Sequence, residues 1–434
     1  MKEQHPLIQK YVDDVCRQVK AKQLREDIRQ EISSHLEELM ELKRSQGADD
    51  QTAATWAIDQ MGDPSSVARG FNQVHRPRFP WGVFGLLALL LIIAVSAMHA
   101  VELGYRTSGH VMADAGLFKK QAVFIMIGIV MLLLLSRIHY RKLLPFSWLI
   151  YAGAVVLLLA GTAAGMHVNG VSGYIDAGPV TIRTADASLF LFVIALAGFL
   201  CRRQESWKAA AIHALLFAVV PIVLYAMIAS FSTMALYAAV LVIICVLAGC
   251  SWRWMLPHLL LFLCFFAFYP LVSLHARTRL TAFLHRYNDP DGAGYLYVQI
   301  DEAMRSAGWL GQGFDSIQER LPYVHADMIF TYLVHGLGWL AGAAILFIVI
   351  VFVTQLAKAM GAVKESYGKL LIAGIGTLFA VQFAWNIGMS AGFLPLAPVS
   401  LPLISYGGSG MVMQLAAMGI IFSVYRQKDM VRAG

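Results

Sequence analysis

Charged residues are scarce in this sequence. Asp, Glu, Lys and Arg make up 14% of its 434 residues, whereas soluble domains carry roughly 25%. Hydrophobic residues make up 58% of the chain, and its mean hydropathy is +0.62. This composition excludes an ordinary soluble domain and predicts a polytopic membrane protein.

Cysteine is sparse as well, and its spacing excludes the common metal and redox motifs. No Cys-x-x-Cys pair occurs, and the cysteines lie mainly in apolar segments or in segments that we assign to the cytosol. We therefore expect reduced packing residues rather than disulfides or metal ligands. The five cysteines are Cys16, Cys201, Cys245, Cys250 and Cys264.

An apolar leader and a nucleic-acid-binding face are also missing. Residues 1–30 are charged throughout and have no apolar core, so we expect no cleavable signal peptide and a cytoplasmic N-terminus. The net charge is +7, but the basic residues lie in short clusters between apolar runs. This pattern favours membrane orientation over nucleic-acid binding.

Charge is densest in residues 1–78, which predicts a separate cytosolic helical domain over residues 1–76. Gly47 suits a position just after a helix, Asp50 can cap a third helix, and Asp63-Pro64 is typical of the start of a fourth. No catalytic or metal-ligand spacing occurs here, which favours a regulatory or docking role. Apolar residues recur at helical spacing at Leu24, Ile28, Ile32, Leu36 and Leu39.

The rest of the chain alternates long apolar runs with short polar connectors. Each run has about 17 to 25 residues, enough to cross a bilayer. With the N-terminus inside, the inner connectors carry more Lys and Arg, so both termini are expected in the cytoplasm. The sequence thus predicts an all-α polytopic membrane protein with about ten transmembrane helices plus the small N-terminal domain. The runs lie near residues 80–101, 121–136, 144–166, 187–201, 209–228, 231–249, 255–274, 327–354, 368–391 and 407–425.

This topology places two long polar segments, residues 167–186 and 275–326, on the outer face. Function is expected there, because long loops in a helix bundle are usually functional or structured. Asp327 stands where the second segment meets an apolar run. A carboxylate is costly to desolvate at that boundary, so it either reaches water or serves chemistry at the membrane surface.

A proline-rich segment, residues 394–410, precedes the last apolar run. Its prolines suit a broken segment that lines a cavity. Ser405-Tyr406-Gly407-Gly408-Ser409 can present N–H groups and hydroxyls to an anion such as a diphosphate. The alternative is helix packing through small residues, which composition alone favours. Gly308-x-x-Gly311-x-Gly313 fails as a nucleotide motif because no strand precedes it and no Gly-Lys-Ser/Thr ends it.

The order of these motifs resembles the SEDS family, which includes FtsW, RodA and SpoVE. The likeness covers residues from about 80 to 428 and implies a ten-helix transmembrane domain over residues 79–428 with a large extracellular loop at 275–326. Residues 1–76 resemble the helical prefix domain of some Gram-positive permeases. The matching words, in chain order, are Arg279, Gly294-Tyr295, Gly311-x-Gly313, Leu321-Pro322-x-x-His325-Ala326-Asp327-x-Ile329-Phe330, Leu337-Gly338, Gly342, Asn386-Ile387-Gly388-Met389, Gly392-x-Leu394-Pro395 and Leu401-Pro402-Leu403-Ile404-Ser405-Tyr406-Gly407-Gly408-Ser409.

The resemblance implies a peptidoglycan glycosyltransferase of the cell membrane that polymerises lipid II on the outer face, beside a class B penicillin-binding protein, in division, cell shape or sporulation. In the family's His-Thr-Asp-Phe-Ile-Phe word the Asp is the catalytic carboxylate, and Asp327 occupies that place. A single base can activate the acceptor hydroxyl. Positive charge or a divalent cation, Mg²⁺ or Mn²⁺, can stabilise the leaving diphosphate. Expected substrate-binding residues are Arg279, His325, Ser405, Gly407, Gly408 and Ser409, with Arg277 and Arg286 as further cation candidates.

Several family words are altered. Asn169-Gly170-Val171-Ser172-Gly173-Tyr174-Ile175 stands for Asn-Gly-Ala-Arg-Arg-Trp-Ile, and Thr184-Ala185-Asp186-Ala187-Ser188 for Gln-Pro-Ser-Glu. Ala229-Ser230-Phe231-Ser232-Thr233 stands for Gln-Pro-Asp-x-Gly-Thr, and Val334-His335-Gly336 for the Glu-Glu word. These changes indicate a divergent paralogue.

Two other functions remain open. A catalytically inactive scaffold or regulator of cell-wall synthesis is favoured by the altered words, whereas the retained Asp327 opposes it. A flippase for lipid-linked saccharides is opposed by the scarcity of ionisable residues in the predicted spans, which hold only scattered histidines. These are His99, His213, His258 and His335.

Overall fold

The computed structural model describes residues 5–19, 25–74, 79–168, 171–176, 178, 181–202, 206–314 and 321–428. The chain forms two compact units. The first holds the described residues of Met1–Phe79 and of Arg426–Gly434, and the second is Pro80–Tyr425. Residues 169–170 and 315–320, which belong to the two outer segments of the sequence prediction, lie outside the described residues.

The first unit is helical around an apolar core. Ile28, Ile32 and Leu36 are at most 2% exposed, so the predicted periodicity marks the buried face. Asp63 caps the fourth helix as expected, since its Oδ2 accepts from the N–H of Ser66 at 3.2 Å. Asp49 rather than the predicted Asp50 occupies the N-cap position of the third helix, without a side-chain capping hydrogen bond. The helices are α1 (Pro6–Gln18), α2 (Arg25–Ser45), α3 (Asp50–Met61) and α4 (Pro64–Val74).

The second unit is a bundle of apolar helices. Among the described residues, nine helices are long and apolar enough to span a membrane, and Phe231–Leu247 is a shorter apolar helix of 17 residues. The predicted fold class is thereby confirmed. The helices are α5 (Trp81–Thr107), α6 (Leu117–Arg137), α7 (Ser147–Ala164), α8 (Thr184–Cys201), α9 (Trp207–Ala214), α10 (Val220–Met227), α11 (Phe231–Leu247), α12 (Trp252–Val272), α13 (Leu274–Leu284), α14 (Tyr295–Ser306), α15 (Ile329–Leu337), α16 (Trp339–Gly361), α17 (Ser366–Ser390) and α18 (Ser409–Gln427).

The prediction of one continuous span over residues 327–354 was wrong. Helix α15 ends at Leu337, and α16 begins at Trp339 after Gly338, which has φ +88°. Only glycine adopts this backbone conformation without strain. A Cβ at this position would also overlap the main-chain carbonyl of Trp309. The apolar run hides this break, because hydropathy does not report backbone geometry.

The outer segments carry more structure than the sequence indicated. Between α7 and α8 lies a small antiparallel sheet of β1 (Met166–Val168), β2 (Val171–Asp176) and β3 (Thr181–Arg183) in the order β1-β2-β3. Helices α13 and α14 occupy much of the longer segment. Both segments are therefore largely built from regular secondary structure within their described residues.

Candidate active site

Asp327 lies in a turn just before α15, and its main chain is fixed by α17. The side-chain amide of the buried Asn386 donates to the carbonyl of Asp327 at 2.9 Å and to that of Val399 at 2.7 Å. Tyr323 adopts φ +56° at the start of the turn, and its carbonyl accepts from the N–H of Met328 at 3.3 Å. One amide thus holds the Asp327 turn against the proline-rich segment.

The Asp327 side chain opens into a cavity of about 710 Å³. The walls come from the small sheet, α13, the proline-rich segment and the start of α18. Three cationic and two anionic side chains line this cavity, which gives a formal net charge of +1. The charged lining residues are Lys120, Arg183, Asp186, Arg279 and Asp327.

Burial raises the pKa of Asp327 to about 6. The neighbouring charge of Arg183 opposes this shift, Asp186 adds to it, and Arg279 opposes it more weakly. A carboxylate with a pKa near 6 is mostly ionised at neutral pH and still accepts a proton readily. These properties suit a general base.

Arg183 is held in the cavity wall at the end of β3. Both terminal nitrogens of its guanidinium donate to the carbonyl of Pro398 at 3.2 Å, and one lies 3.4 Å from Oδ2 of Asp186. The guanidinium also lies over the ring of Tyr174, 5.9 Å from its centroid. The side chains of Arg183 and Asp186 are 16% and 26% exposed, so this ion pair is largely shielded from solvent.

Four of the predicted substrate-binding residues line the same cavity: Arg279, Gly407, Gly408 and Ser409. Ser409 begins α18, and its hydroxyl donates to the carbonyl of Thr181 at 3.2 Å. The first N–H groups of a helix have no partner within the helix and can bind an anion. The structure therefore brings Asp327, the predicted Arg279 and the N-terminus of α18 to one cavity, which Arg183 also lines.

Ser405 and His325 lie behind the cavity wall. The Ser405 hydroxyl is buried and donates to the carbonyl of Ala326 at 2.8 Å. Nδ1 of His325 lies 3.0 Å from the hydroxyl of Tyr105. Burial lowers the pKa of His325 to about 4, so the ring is neutral at pH 7. The contacts of these two residues position the Asp327 turn.

The two other arginine candidates do not line this cavity. Arg277 is exposed on α13. Arg286 donates to the carbonyl of Gly392 at 3.0 Å and lines a separate cavity of about 400 Å³. Of the three arginines considered, only Arg279 reaches the cavity of Asp327.

Sequence reasoning missed Arg183, Asp186 and Lys120. Asp186 belongs to the segment interpreted as a lost Gln-Pro-Ser-Glu word. A frame shifted by one residue, Arg183-Thr184-Ala185-Asp186, retains an acidic residue at the fourth position. The sequence could have indicated Asp186 through this shifted alignment. The ion pair between Arg183 and Asp186 supports the shifted alignment.

The residues present do not form a metal site of their own. Within the described ranges, no group of three or more His, Cys, Asp or Glu side chains could hold a metal ion. Mg²⁺ is commonly bound through one or two carboxylates together with substrate phosphates. The cavity therefore fits a metal ion that is shared with substrate phosphates and does not fit one that is held by protein side chains alone.

The predicted spans also contain a histidine pair that sequence reasoning treated as scattered. Nδ1 of His213 lies 3.0 Å from Nε2 of His258, and Nδ1 of His258 lies 3.0 Å from the carbonyl of Trp254. The pair joins α9 to α12 and does not line the cavity of Asp327.

The fold and the cavity define a polytopic membrane protein with Asp327 in a cavity that is also lined by cationic side chains. Residues 78–430 match the model of the cell cycle protein family that comprises FtsW, RodA and SpoVE, and the chain belongs to this family. It is 28% identical over 322 residues to a probable peptidoglycan glycosyltransferase FtsW of Idiomarina loihiensis, covering 72% of this chain and 78% of the relative. It is 27% identical over 351 residues to peptidoglycan glycosyltransferase MrdB of Escherichia coli, covering 79% of this chain and 94% of the relative.

Solved structures share the fold. A chain of a peptidoglycan synthase complex aligns with a TM-score of 0.67 at 23% identity, covering 81% of this chain and 98% of that chain. The rod shape determining protein RodA of Thermus thermophilus aligns with a TM-score of 0.60 at 20% identity, covering 81% and 97%.

Proposed function

We propose that this chain is a peptidoglycan glycosyltransferase that polymerises lipid II, the undecaprenyl-diphosphate disaccharide peptide, at the outer face of the cell membrane. The family membership and the names of its relatives support this activity over an inactive scaffold or a flippase. The observation that carries the proposal is that Asp327, whose pKa is about 6, lies at a cavity that is also lined by cationic side chains.

The transfer needs one base. The 4-hydroxyl of the acceptor sugar attacks the anomeric carbon of the donor, and its proton passes to Asp327. The bond from that carbon to the diphosphate breaks, and the undecaprenyl diphosphate leaves with the electron pair. Attack opposite the leaving group inverts the anomeric centre. A positioned general base contributes roughly 10²–10⁴-fold to such a step.

The leaving group needs positive charge rather than a proton. Arg279 lines the cavity and can stabilise the diphosphate as charge develops. The N-terminus of α18 at Ser409 adds N–H groups that favour an anion. A Mg²⁺ or Mn²⁺ ion that enters with the substrate would be held mainly by phosphate oxygens, and it would supply further charge stabilisation.

The proposal also includes the orientation of the chain in the membrane and its partner protein. Both termini lie in the cytoplasm, so the cavity faces outward, where lipid II presents its sugars. A class B penicillin-binding protein is the expected partner, and the occurrence of this fold in a peptidoglycan synthase complex supports that choice.

Asp327→Asn tests the mechanism, because it keeps the size of the side chain and removes the base. Polymer made from purified lipid II, separated on a gel, should fall by about 100-fold or more. Asp291→Asn is the matched control, since Asp291 is exposed in the same outer segment and should leave the rate unchanged. Full activity of Asp327→Asn, with yield and thermal stability intact, would refute Asp327 as the base.

A further inference from the structure

Arg183 has spare hydrogen-bonding capacity in a largely buried place. A guanidinium carries five N–H donors in a planar fork. The recorded contacts of Arg183 are two hydrogen bonds to the carbonyl of Pro398 and the ion pair with Asp186. Its Nε is buried without a partner among the described residues. Nε itself has almost no accessible surface, so an acceptor in the cavity would be bound by the second N–H of Nη2, which has no recorded contact.

Arg183 pairs with Asp186 and not with Asp327, which leaves Asp327 free to act as the base. In an inverting transfer, the diphosphate leaves from the face of the anomeric carbon opposite the attacking hydroxyl. A cation for the diphosphate should therefore line the same cavity as the base without occupying the base itself. Arg183 meets both conditions, because it lines the cavity of Asp327 while its ion pair is formed with Asp186.

We propose that Arg183 joins Arg279 in binding the diphosphate of the donor lipid, and that Asp186 and the Pro398 carbonyl position the Arg183 guanidinium. The proposal rests on the proposed function for the identity of the lipid. Arginine suits this task because its planar fork matches phosphate oxygens with two parallel hydrogen bonds. Asp186 neutralises the buried guanidinium before the anion arrives.

The first test measures binding, which needs no turnover. The probes are radiolabelled undecaprenyl diphosphate and neutral undecaprenol, each titrated with the full chain in detergent. Loss of one charge-assisted contact should weaken binding of the diphosphate to Arg183→Gln by about 10- to 100-fold. Binding of undecaprenol should be unchanged, which also reports an intact fold. Arg183→Lys should fall between the two, since it keeps the charge and loses the fork.

Arg305→Gln is the matched control. Arg305 forms an ion pair with Asp301 at 3.0 Å on the outer face, as Arg183 does with Asp186, but its side chain is 77% exposed. This variant should bind both lipids as the wild type does. Inorganic diphosphate serves as a competitor, and it should displace the labelled lipid from wild type more effectively than from Arg183→Gln.

A double variant separates direct binding from mere compensation of Asp186. If Arg183 contacts the diphosphate, Arg183→Gln should weaken binding by a similar factor in the Asp186→Asn background. If Arg183 only neutralises Asp186, the loss should disappear in the double variant, and the proposal would fail. Equal loss of diphosphate and undecaprenol binding would also overturn it. A wild type that binds diphosphate through Arg183 but makes no polymer would contradict the proposed function and leave this inference standing.

Discussion

Lowering the pH should switch off polymer formation through Asp327. Its pKa is raised from 3.8 to about 6 by burial, so the carboxylate is ionised above that pH and protonated below it. With this value, about nine-tenths of the enzyme carries the active base at pH 7, and about one-tenth does at pH 5. The rate at low substrate should therefore fall about tenfold between these two pH values.

The assay is the initial rate of glycan chain formation at lipid II concentrations below KM, measured in one mixed buffer from pH 4.5 to 8. At low substrate, the profile reports the pKa of the free enzyme. Intrinsic fluorescence over the same range, and recovery of the rate after return to pH 7, show that the protein stays folded. An acid limb centred near pH 4 would refute the reasoning, because it would mean that burial does not disfavour the Asp327 carboxylate.

Substitution of two charged neighbours of Asp327 should move the acid limb of the pH–rate profile in opposite directions. Arg183→Gln removes a positive charge that favours the Asp327 carboxylate, so the acid limb should move to higher pH. Asp186→Asn removes a like charge, so the acid limb should move to lower pH. Shifts in the same direction for both variants would indicate a general loss of structure rather than these two charges.

Three further predictions concern the scaffold. Asn386→Ala removes the donor to two main-chain carbonyls at the site, and we expect a loss of about 1–3 kcal/mol in stability and a lower kcat, measured by thermal unfolding in detergent and by the gel assay. Gly338→Ala should cost roughly 2 kcal/mol or more, because its φ is +88° and a Cβ would overlap the carbonyl of Trp309. Gly361→Ala is its control and should not destabilise, since no atom lies within 4 Å of the added Cβ. Deletion of residues 1–76 should leave polymer formation from lipid II measurable, because the cavity is built from Pro80–Tyr425, and its complete loss with normal folding would contradict this.

The membrane fold could be predicted because apolar length is read directly from sequence. The predicted runs correspond to the helices that the structure has in this part of the chain, including the shorter Phe231–Leu247. The start of the eighth run could not be placed, because α15 and α16 are both apolar and only the backbone at Gly338 separates them. The small sheet was also missed, since its strands are short and contain few apolar residues in alternation.

The sequence predicted those residues of the candidate site that belong to a local sequence motif. Asp327 stands out at a loop-to-helix boundary, and it lines a cavity of about 710 Å³. Arg183 has no such local signal, because its role depends on β3 meeting the proline-rich segment at Pro398. His325 is near Asp327 in sequence, yet its ring contacts Tyr105 of α5 rather than the cavity. Sequence proximity to a catalytic group is thus weaker evidence of substrate contact than a shared cavity.

Two carboxylates in one cavity invite comparison with a glycosidase, in which one acid protonates the leaving oxygen and another assists attack. The geometry opposes that assignment, because Asp186 is engaged by Arg183 at 3.4 Å and so is not free to serve as the second acid. Asp327 has no corresponding ion pair among the described residues, and its pKa of about 6 leaves it as the group that exchanges protons near neutral pH. One free base with surrounding cations is the set that a diphosphate leaving group requires, because such a group departs without protonation. The arrangement of Arg183 and Asp186 therefore favours transfer from a lipid diphosphate over hydrolysis of a glycosidic bond.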